Sequence, residues 1–274
     1  MDTAVNPTGL LFTALSVCSD AAGIAGNLFA IVLFVSPIPT FRRIIRSKST
    51  EQFSGLPYIY GLLNCLICLW YGMPIVSPGI IHIATVNSIG AIFQSVYLII
   101  YIIHAERAKK VKMIGLLLAI LAAFVIIALV SLKLFEPPNR QIFVGYLSVI
   151  SLISMFASPL FAIVSSQKTL AFTSTYKLCS FLRPNAFANV LVWQNLVIKT
   201  RSVEFMPFYL SLATFLMSLS FFAFGMFKSD PFIFVPNGIG TVLGVIQLVL
   251  YYYYYYYSNA YGGGSTEPLL ESYV

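Results

Sequence analysis

Two asparagines in apolar segments have side chains that can hydrogen-bond a polar ligand. Asn87 begins the tetrapeptide NSIG and Asn237 begins NGIG, each toward one end of an apolar stretch. An amide in hydrocarbon needs hydrogen-bond partners, because an unsatisfied polar group there is costly. If they face each other, the two amides offer several N–H donors and carbonyl lone pairs, which suits a ring of hydroxyl groups. The alternative is that each amide only links neighbouring helices.

The other reactive side chains give weaker signals. Cys65 and Cys68 form a C-x-x-C motif, but the sequence supplies no second ligand pair for a metal or redox site. His82 and His104 stand alone, and Asp20 is the one carboxylate evident in an apolar segment, so a proton relay is poorly supported. We therefore expect no enzyme activity, no cofactor and no metal.

Membrane helices must position these residues. Hydrophobic residues make up 59% of the 274-residue chain and charged residues 9%, whereas a typical soluble domain has about 25% charged residues. Apolar runs long enough to cross a hydrocarbon core of about 30 Å recur along the chain. Their polar and proline breaks predict seven helices, numbered one to seven, over residues 16–41, 56–74, 78–103, 111–133, 141–163, 207–227 and 231–257.

The basic residues predict the orientation of these helices. Of the 16 lysines and arginines, thirteen follow helices one, three and five, and only Lys133, Arg140 and Lys228 lie on the other side. Cytosolic loops are enriched in Lys and Arg, so we expect the N-terminus outside the cytosol and the C-terminus inside. Topology therefore accounts for the net charge of +7, and we expect no nucleic-acid partner.

Helices one to three are repeated as helices five to seven. The segment from Ile44 to Gly72 aligns without a gap to the segment from Val197 to Gly225, and NSIG aligns with NGIG. Helix four then acts as a linker that restores the second copy to the same orientation. The predicted fold is all-α, with two parallel three-helix bundles joined by a linker helix. The boundaries are 1–15 for an extracellular N-terminus, 16–104 for the first repeat, 105–140 for the linker and its flanks, 141–257 for the second repeat and 258–274 for a cytosolic tail.

Residues 164–194 interrupt the second repeat. Pro37 and Ile44 are 7 positions apart, whereas Pro159 and Val197 are 38 apart, an excess of 31 residues. One explanation is a genuine insertion in the cytosolic loop between helices five and six. The other, favoured by the in-frame length and clean edges, is a retained intron that is translated. In both cases we expect a poorly ordered loop outside the bundle, dispensable for function.

Several segments resemble the plant SWEET sugar facilitators. They are FVSPIPTFRRIIRSKSTEQFSGLPY, LLNCLICLWYG, ATVNSIGAIFQSVYLIIY, VEFMPFYLSLATFLMS and VPNGIGTVLGVIQLVLYYYY, and the resemblance covers residues 16–163 and 195–257. It implies bidirectional, energy-independent transport of sugar, with details most similar to the hexose-transporting clade.

The resemblance also implies a set of sugar-binding residues. In the family, the pair at Asn87 and Asn237 contacts sugar, and the residues at Cys68 and Phe221 line the same pocket. The family often has a hydroxyl residue at the position of Cys68 and a Trp at the position of Phe221. Phe221 can still stack on the apolar C–H face of a sugar, but it lacks the indole N–H.

Four prolines resemble the proline tetrad of the same family, namely Pro37, Pro57, Pro159 and Pro207. Each removes a backbone hydrogen bond, and each lies toward the cytosolic end of its helix. Together they predict hinges that let half-helices bend during rocking about a fixed site. Taken singly, Pro57 and Pro207 also fit ordinary helix ends.

Two other function classes are alternatives. A seven-helix receptor is not expected to contain a duplicated three-helix unit, and a channel usually displays rings of charge or carbonyl filters. The expected partners are a sugar, the lipid bilayer, and either further copies of the chain, such as a trimer, or related transporters. The expected location is the plasma membrane, with the vacuolar membrane as the alternative.

Overall fold

The computed structural model describes residues 7–51, 53–166 and 208–261, and it places side chains at residues 13–51, 53–152, 208–253, 255 and 256. Within these ranges the chain forms helices and no strand. The helices are α1 (Pro7–Val35), α2 (Ile38–Ser47), α3 (Leu56–Gly72), α4 (Ile81–His104), α5 (Arg107–Leu134), α6 (Pro137–Ser166), α7 (Phe208–Phe227) and α8 (Pro231–Tyr261). Most of the predicted insert 164–194 lies outside the described residues, since only its first three residues belong to α6.

The predicted all-α, seven-helix fold is confirmed, with one correction in helix one. The prediction of a continuous helix over 16–41 was wrong, because the helix begins at Pro7 and breaks at Ser36 and Pro37 into α1 and α2. Pro37 has no N–H to donate to the carbonyl of the preceding turn. The Ser36 hydroxyl donates to Leu33 O at 2.8 Å and the Tyr97 hydroxyl donates to Phe34 O at 2.6 Å, so side chains satisfy carbonyls at the break.

Helices of membrane-spanning length dominate the molecule. In the described part of the chain, five stretches are long and apolar enough to cross a membrane: Thr13–Ser47, Ile81–His104, Arg107–Leu134, Phe208–Phe227 and Pro231–Tyr253. α3 is equally apolar but has only 17 residues.

The two repeats pack with pseudo-two-fold symmetry. α1 packs against α7, and α3 packs against α6. The repeat makes helix one equivalent to helix five and helix two equivalent to helix six. The contact between α1 and α7 is therefore equivalent to the contact between α6 and α3. Each repeat contributes the same two helix surfaces to the interface.

Glycines at equivalent positions allow the same close approaches in both repeats. A Cβ on Gly72 would collide with Ala84 N, and a Cβ on Gly225 would lie 2.6 Å from Phe234 N. In the sequence alignment Ala84 and Phe234 are themselves equivalent. The end of one helix thus meets the start of the next through the same glycine contact, which is a packing consequence of the duplication.

Two apolar clusters divide the core. The interface core joins both repeats at the helix ends beside the α3–α4 and α7–α8 turns and includes Tyr71, Ile83, Val144, Phe221, Phe224 and Ile233. The first-repeat core joins α2, α3, α4 and α5 at the opposite ends and includes Phe41, Ile59, Tyr97, Tyr101 and Met113. Within the described side chains, packing between the repeats is thus concentrated at one end of the molecule.

Arg140 connects the end of the linker helix α5 to the first repeat. Its guanidinium donates to Ser131 O at 3.0 Å, to Phe135 O at 3.1 Å and to Ile75 O at 3.0 Å. The first two carbonyls belong to the end of α5 and the turn that follows, where a cation also suits the helix dipole. The third lies between α3 and α4, so one side chain connects the linker to the first repeat.

Candidate substrate site

Asn87 and Asn237 adopt the same geometry in the two repeats. Each Nδ2 donates to the carbonyl four residues earlier, Asn87 to Ile83 O and Asn237 to Ile233 O, both at 2.8 Å. Each side chain is half-buried. Among the described residues no donor contacts either Oδ1, so each amide keeps an acceptor and one further N–H for another molecule.

The interface core brings three of the predicted site residues toward one region. Ile83 and Ile233, whose carbonyls accept from the two asparagines, both belong to this core, as does the buried Phe221 on α7. A Cβ on Gly26 would lie 2.8 Å from the Phe221 ring, so the ring fills the space beside α1 that this glycine leaves. Each asparagine is thus bonded to a residue of the same core that contains Phe221, Asn87 from α4 and Asn237 from α8.

Cys68 lies in a polar cluster with Asn64 and Ser151, which the sequence analysis did not predict. The half-buried Cys68 has its Sγ 3.6 Å from Asn64 Oδ1, and the Ser151 hydroxyl donates to the same oxygen at 3.0 Å. Asn64 and Ser151 are both buried, and their bond connects α3 with α6 across the repeats. The sequence feature that could have indicated this cluster is Asn64, which lies inside the apolar run LLNCLICLW one helical turn before Cys68.

A buried carboxylate joins the repeats at the α7–α8 turn. The Tyr71 hydroxyl donates to Asp230 Oδ2 at 2.6 Å, and the backbone N–H of Phe232 donates to Oδ1 at 3.0 Å. Tyr71 and Asp230 are both buried, which makes this contact between α3 and the α7–α8 turn a strong one. Asp230 lies in a turn between two helices, and the sequence analysis, which considered carboxylates in apolar segments, did not single it out.

Asp20 itself has a more exposed position. Its Oδ1 lies 3.3 Å from His82 Nε2, and its side chain is 54% exposed. Asp230 was missed because it lies in the turn KSDPF, whose composition is typical of a solvated loop rather than of a buried contact.

Comparison with known proteins identifies the family. Residues 20–109 and 178–259 match the family model described as sugar efflux transporter for intercellular exchange. These ranges cover more than half of the chain. The chain belongs to the SWEET family.

The similarity to individual SWEET proteins extends over most of the chain. It is 54% identical over 254 residues to bidirectional sugar transporter SWEET2a of Oryza sativa subsp. indica, covering 90% of this chain and 92% of that protein. It is 53% identical over 261 residues to bidirectional sugar transporter SWEET2 of Arabidopsis thaliana, covering 95% and 97%. A 3.7 Å structure of a eukaryotic SWEET transporter matches with a TM-score of 0.75 at 46% identity, covering 89% of this chain and 99% of that chain.

The second matched range begins inside the predicted insert. Residue 178 falls within 164–194, so the boundaries of that segment stay a prediction. With the SWEET family shown and five stretches apolar enough to span a bilayer, the chain is an integral membrane protein.

The three described prolines among the four predicted hinges occupy unequal positions. Pro37 lies at the break between α1 and α2, whereas Pro57 lies in the first turn of α3, where no helix bond is lost. α6 continues past Pro159 to Ser166, and Pro207 lies outside the described residues. A proline that was not predicted as a hinge, Pro236, lies inside α8 just before Asn237.

Proposed function

We propose that this protein carries a hexose-type sugar down its gradient, in either direction, by alternating access. The observation that carries this proposal is the identical geometry of Asn87 and Asn237 in two parallel repeats. The second N–H and the carbonyl oxygen of each amide can donate to and accept from sugar hydroxyls, while Phe221 offers an aromatic face. The printed names of the relatives, bidirectional sugar transporters, support the same conclusion.

The packing supports a state that is closed at the outer end. The interface core and the bond between Tyr71 and Asp230 connect the repeats there. Opening toward the outside must therefore break this bond and separate the α7–α8 turn from α3. Sugar can then enter while the opposite ends close, which is how rocking around a fixed site works.

The positions of Asp20 and Asp230 favour transport without proton coupling, since the other described carboxylates, Glu51, Glu106 and Glu136, lie in the connections between helices. Asp230 accepts from Tyr71 and from a backbone N–H, and Asp20 lies more exposed beside His82. These two carboxylates do not form a relay across the molecule, and such relays are typical of proton-driven transporters. We infer uniport, with the direction of flux set by the sugar gradient.

Purified protein in proteoliposomes tests this function. Assayed with radiolabelled glucose, galactose and sucrose, the protein should exchange glucose in both directions without a pH gradient, and glucose should be among the preferred sugars. Recording ionic current in the same bilayers tests the channel alternative. Current without sugar flux would reject the transporter assignment, and loss of flux on collapse of an imposed proton gradient would reject uniport.

We also propose the orientation and assembly. The N-terminus lies outside the cytosol, the C-terminus lies in the cytosol, and the protein resides in the plasma membrane, with the vacuolar membrane as the alternative. It forms oligomers, such as a trimer, with copies of itself or with related transporters. Protease protection of terminal tags in intact cells tests the orientation, and the mass of the detergent-solubilised protein tests the assembly.

Replacing Pro37 by alanine should slow transport severalfold without preventing membrane insertion. Alanine restores the missing N–H and lets α1 continue into α2, so the break that permits bending at this point is lost. Initial rates of glucose uptake, normalised to inserted protein, provide the measurement. Pro138→Ala is the matched control, because this exposed proline lies in the first turn of α6 and removes no helix bond. Equal rates for both variants would contradict a hinge at Pro37.

Deleting residues 164–194 should preserve or increase glucose flux. The repeat alignment joins Ile163 directly to Asn195, as in the uninterrupted first repeat. Closure entropy grows slowly with the length of a connection, so removing the predicted insert should cost the fold little. The measurement is flux per inserted molecule for the deleted and the full chain, and a loss of flux with normal insertion would show that the segment is required.

A further inference from the structure

A groove on the outside of the bundle lies between α2 and α4. Its volume is about 250 Å³. The apolar side chains that line it include Ile38, Phe41, Ile45, Ile92, Val96 and Ile100. Ile45, Ile92 and Val96 are 48%, 65% and 46% exposed, so this surface faces the hydrocarbon rather than the interior of the bundle.

Two arginines lie at the polar end of this groove. Arg42 is one of its lining residues, and Arg46 follows one helical turn later on the same face of α2. Arg43 points elsewhere and forms an ion pair with Glu51 at 2.7 Å. Among the described residues no carboxylate lies within ion-pair distance of Arg42 or Arg46, and both arginines are exposed.

The groove is long enough to hold part of a lipid acyl chain. Its lining on α4 extends from Ile92 to Ile100, which corresponds to about 12 Å along the helix axis. One leaflet of hydrocarbon is roughly 15 Å thick. Arg42 lies in the middle of α2 and Arg46 in its last turn, in the basic segment between helices one and two that the proposed orientation places on the cytosolic side. An apolar channel within the leaflet therefore leads to two cations at the headgroup level.

We propose that this groove binds an anionic phospholipid of the cytosolic leaflet, with an acyl chain along α4 and the phosphate at Arg42 and Arg46. Basic residues at the cytosolic ends of membrane helices attract acidic headgroups. The site is separate from the substrate site, although calling its leaflet cytosolic rests on the proposed orientation. It also adjoins the break at Pro37, because Tyr97 lines the groove and donates to Phe34 O. A bound lipid contacts α2 and α4 together and restrains the angle of α2.

Native mass spectrometry of the delipidated full-length protein in detergent tests the proposal. Phosphatidylserine should form adducts at lower concentration than phosphatidylcholine. Replacing both arginines, Arg42→Gln and Arg46→Gln, should weaken phosphatidylserine binding about thirtyfold, which corresponds to roughly 1 kcal/mol for each basic residue. The matched control is Arg107→Gln with Lys112→Gln, which removes two exposed charges at the start of α5 and should leave binding unchanged.

A second pair of variants tests the apolar part of the groove. Val96→Trp fills it without changing the charge and should also weaken phosphatidylserine binding. Ile103→Trp, at an exposed position of α4 outside the groove, should not. The proposal is overturned if the arginine variants bind phosphatidylserine normally or if inorganic phosphate alone displaces the lipid fully. It is also overturned if the Trp variants change oligomer mass instead of lipid adducts, since a second copy then occupies the groove. Because the readout is lipid mass, each of these results leaves the proposal of sugar transport untouched.

Discussion

Replacing Asn87 or Asn237 by alanine should reduce sugar affinity and flux by about ten- to a hundredfold. Each substitution removes an amide that can make two hydrogen bonds to hydroxyl groups, and each bond contributes about 0.5–1.5 kcal/mol net. The amide in the other repeat keeps its own contacts, so the double variant should be weaker still. Calorimetric titration with glucose in detergent and counterflow in proteoliposomes measure the two effects.

Asn27 provides a matched control for the alternative that these amides only join helices. Its Nδ2 donates to Gly23 O at 2.9 Å and to His82 O at 3.1 Å, and the Thr85 hydroxyl donates to its Oδ1 at 3.1 Å. All of these partners are protein atoms, and they tie α1 to α4. Asn27→Ala should therefore lower the melting temperature and leave the sugar affinity of the folded protein unchanged. If Asn87→Ala behaves like Asn27→Ala, its role is structural and the site assignment is wrong.

The sequence alone predicted the helices of this molecule and its internal repeat. Apolar runs located the seven helices, and the repeat made Asn87 equivalent to Asn237 before their identical bonds to Ile83 and Ile233 were seen. The apolar runs are local, and the repeat is visible when the chain is aligned with itself, so a single sequence contains both signals.

The contacts between helices could not be predicted in the same way. A membrane helix is apolar on all faces, so periodicity does not identify the face that meets a partner. The bond between Tyr71 and Asp230 joins residues 159 positions apart, and that between Asn64 and Ser151 joins residues 87 apart. Pro37 was predicted as a hinge, but the separation of helix one into two helices at this point was not predicted. The apolar pattern continues through the break, and the Tyr97 hydroxyl that donates to Phe34 O there belongs to another helix.

Replacing Tyr71 by phenylalanine should reduce sugar flux at least tenfold in both directions. The change removes one hydroxyl and keeps the ring packed in the interface core. It deletes a bond to a buried carboxylate, which contributes about 1.5–3 kcal/mol, or roughly ten- to a hundredfold in the balance between the closed and open outer end. A carrier that rests open on the outside seldom reaches the inward-open state, so exchange slows although the substrate site is intact.

Two measurements separate this gate from a general loss of stability. Exchange of labelled glucose reports flux, and a membrane-impermeant maleimide reports access to Ser77→Cys, a buried position beside the gate in the closed state. Tyr71→Phe should accelerate labelling, whereas Tyr146→Phe should change neither flux nor labelling. Tyr146 is 62% exposed on α6, and its ring contacts Phe232. Asp230→Asn keeps an oxygen that can accept from Tyr71 but loses the charge, so its flux should fall between those of Tyr71→Phe and the unmodified protein. Slow flux with unchanged labelling in Tyr71→Phe would mean that this bond supports the fold without gating the outer end.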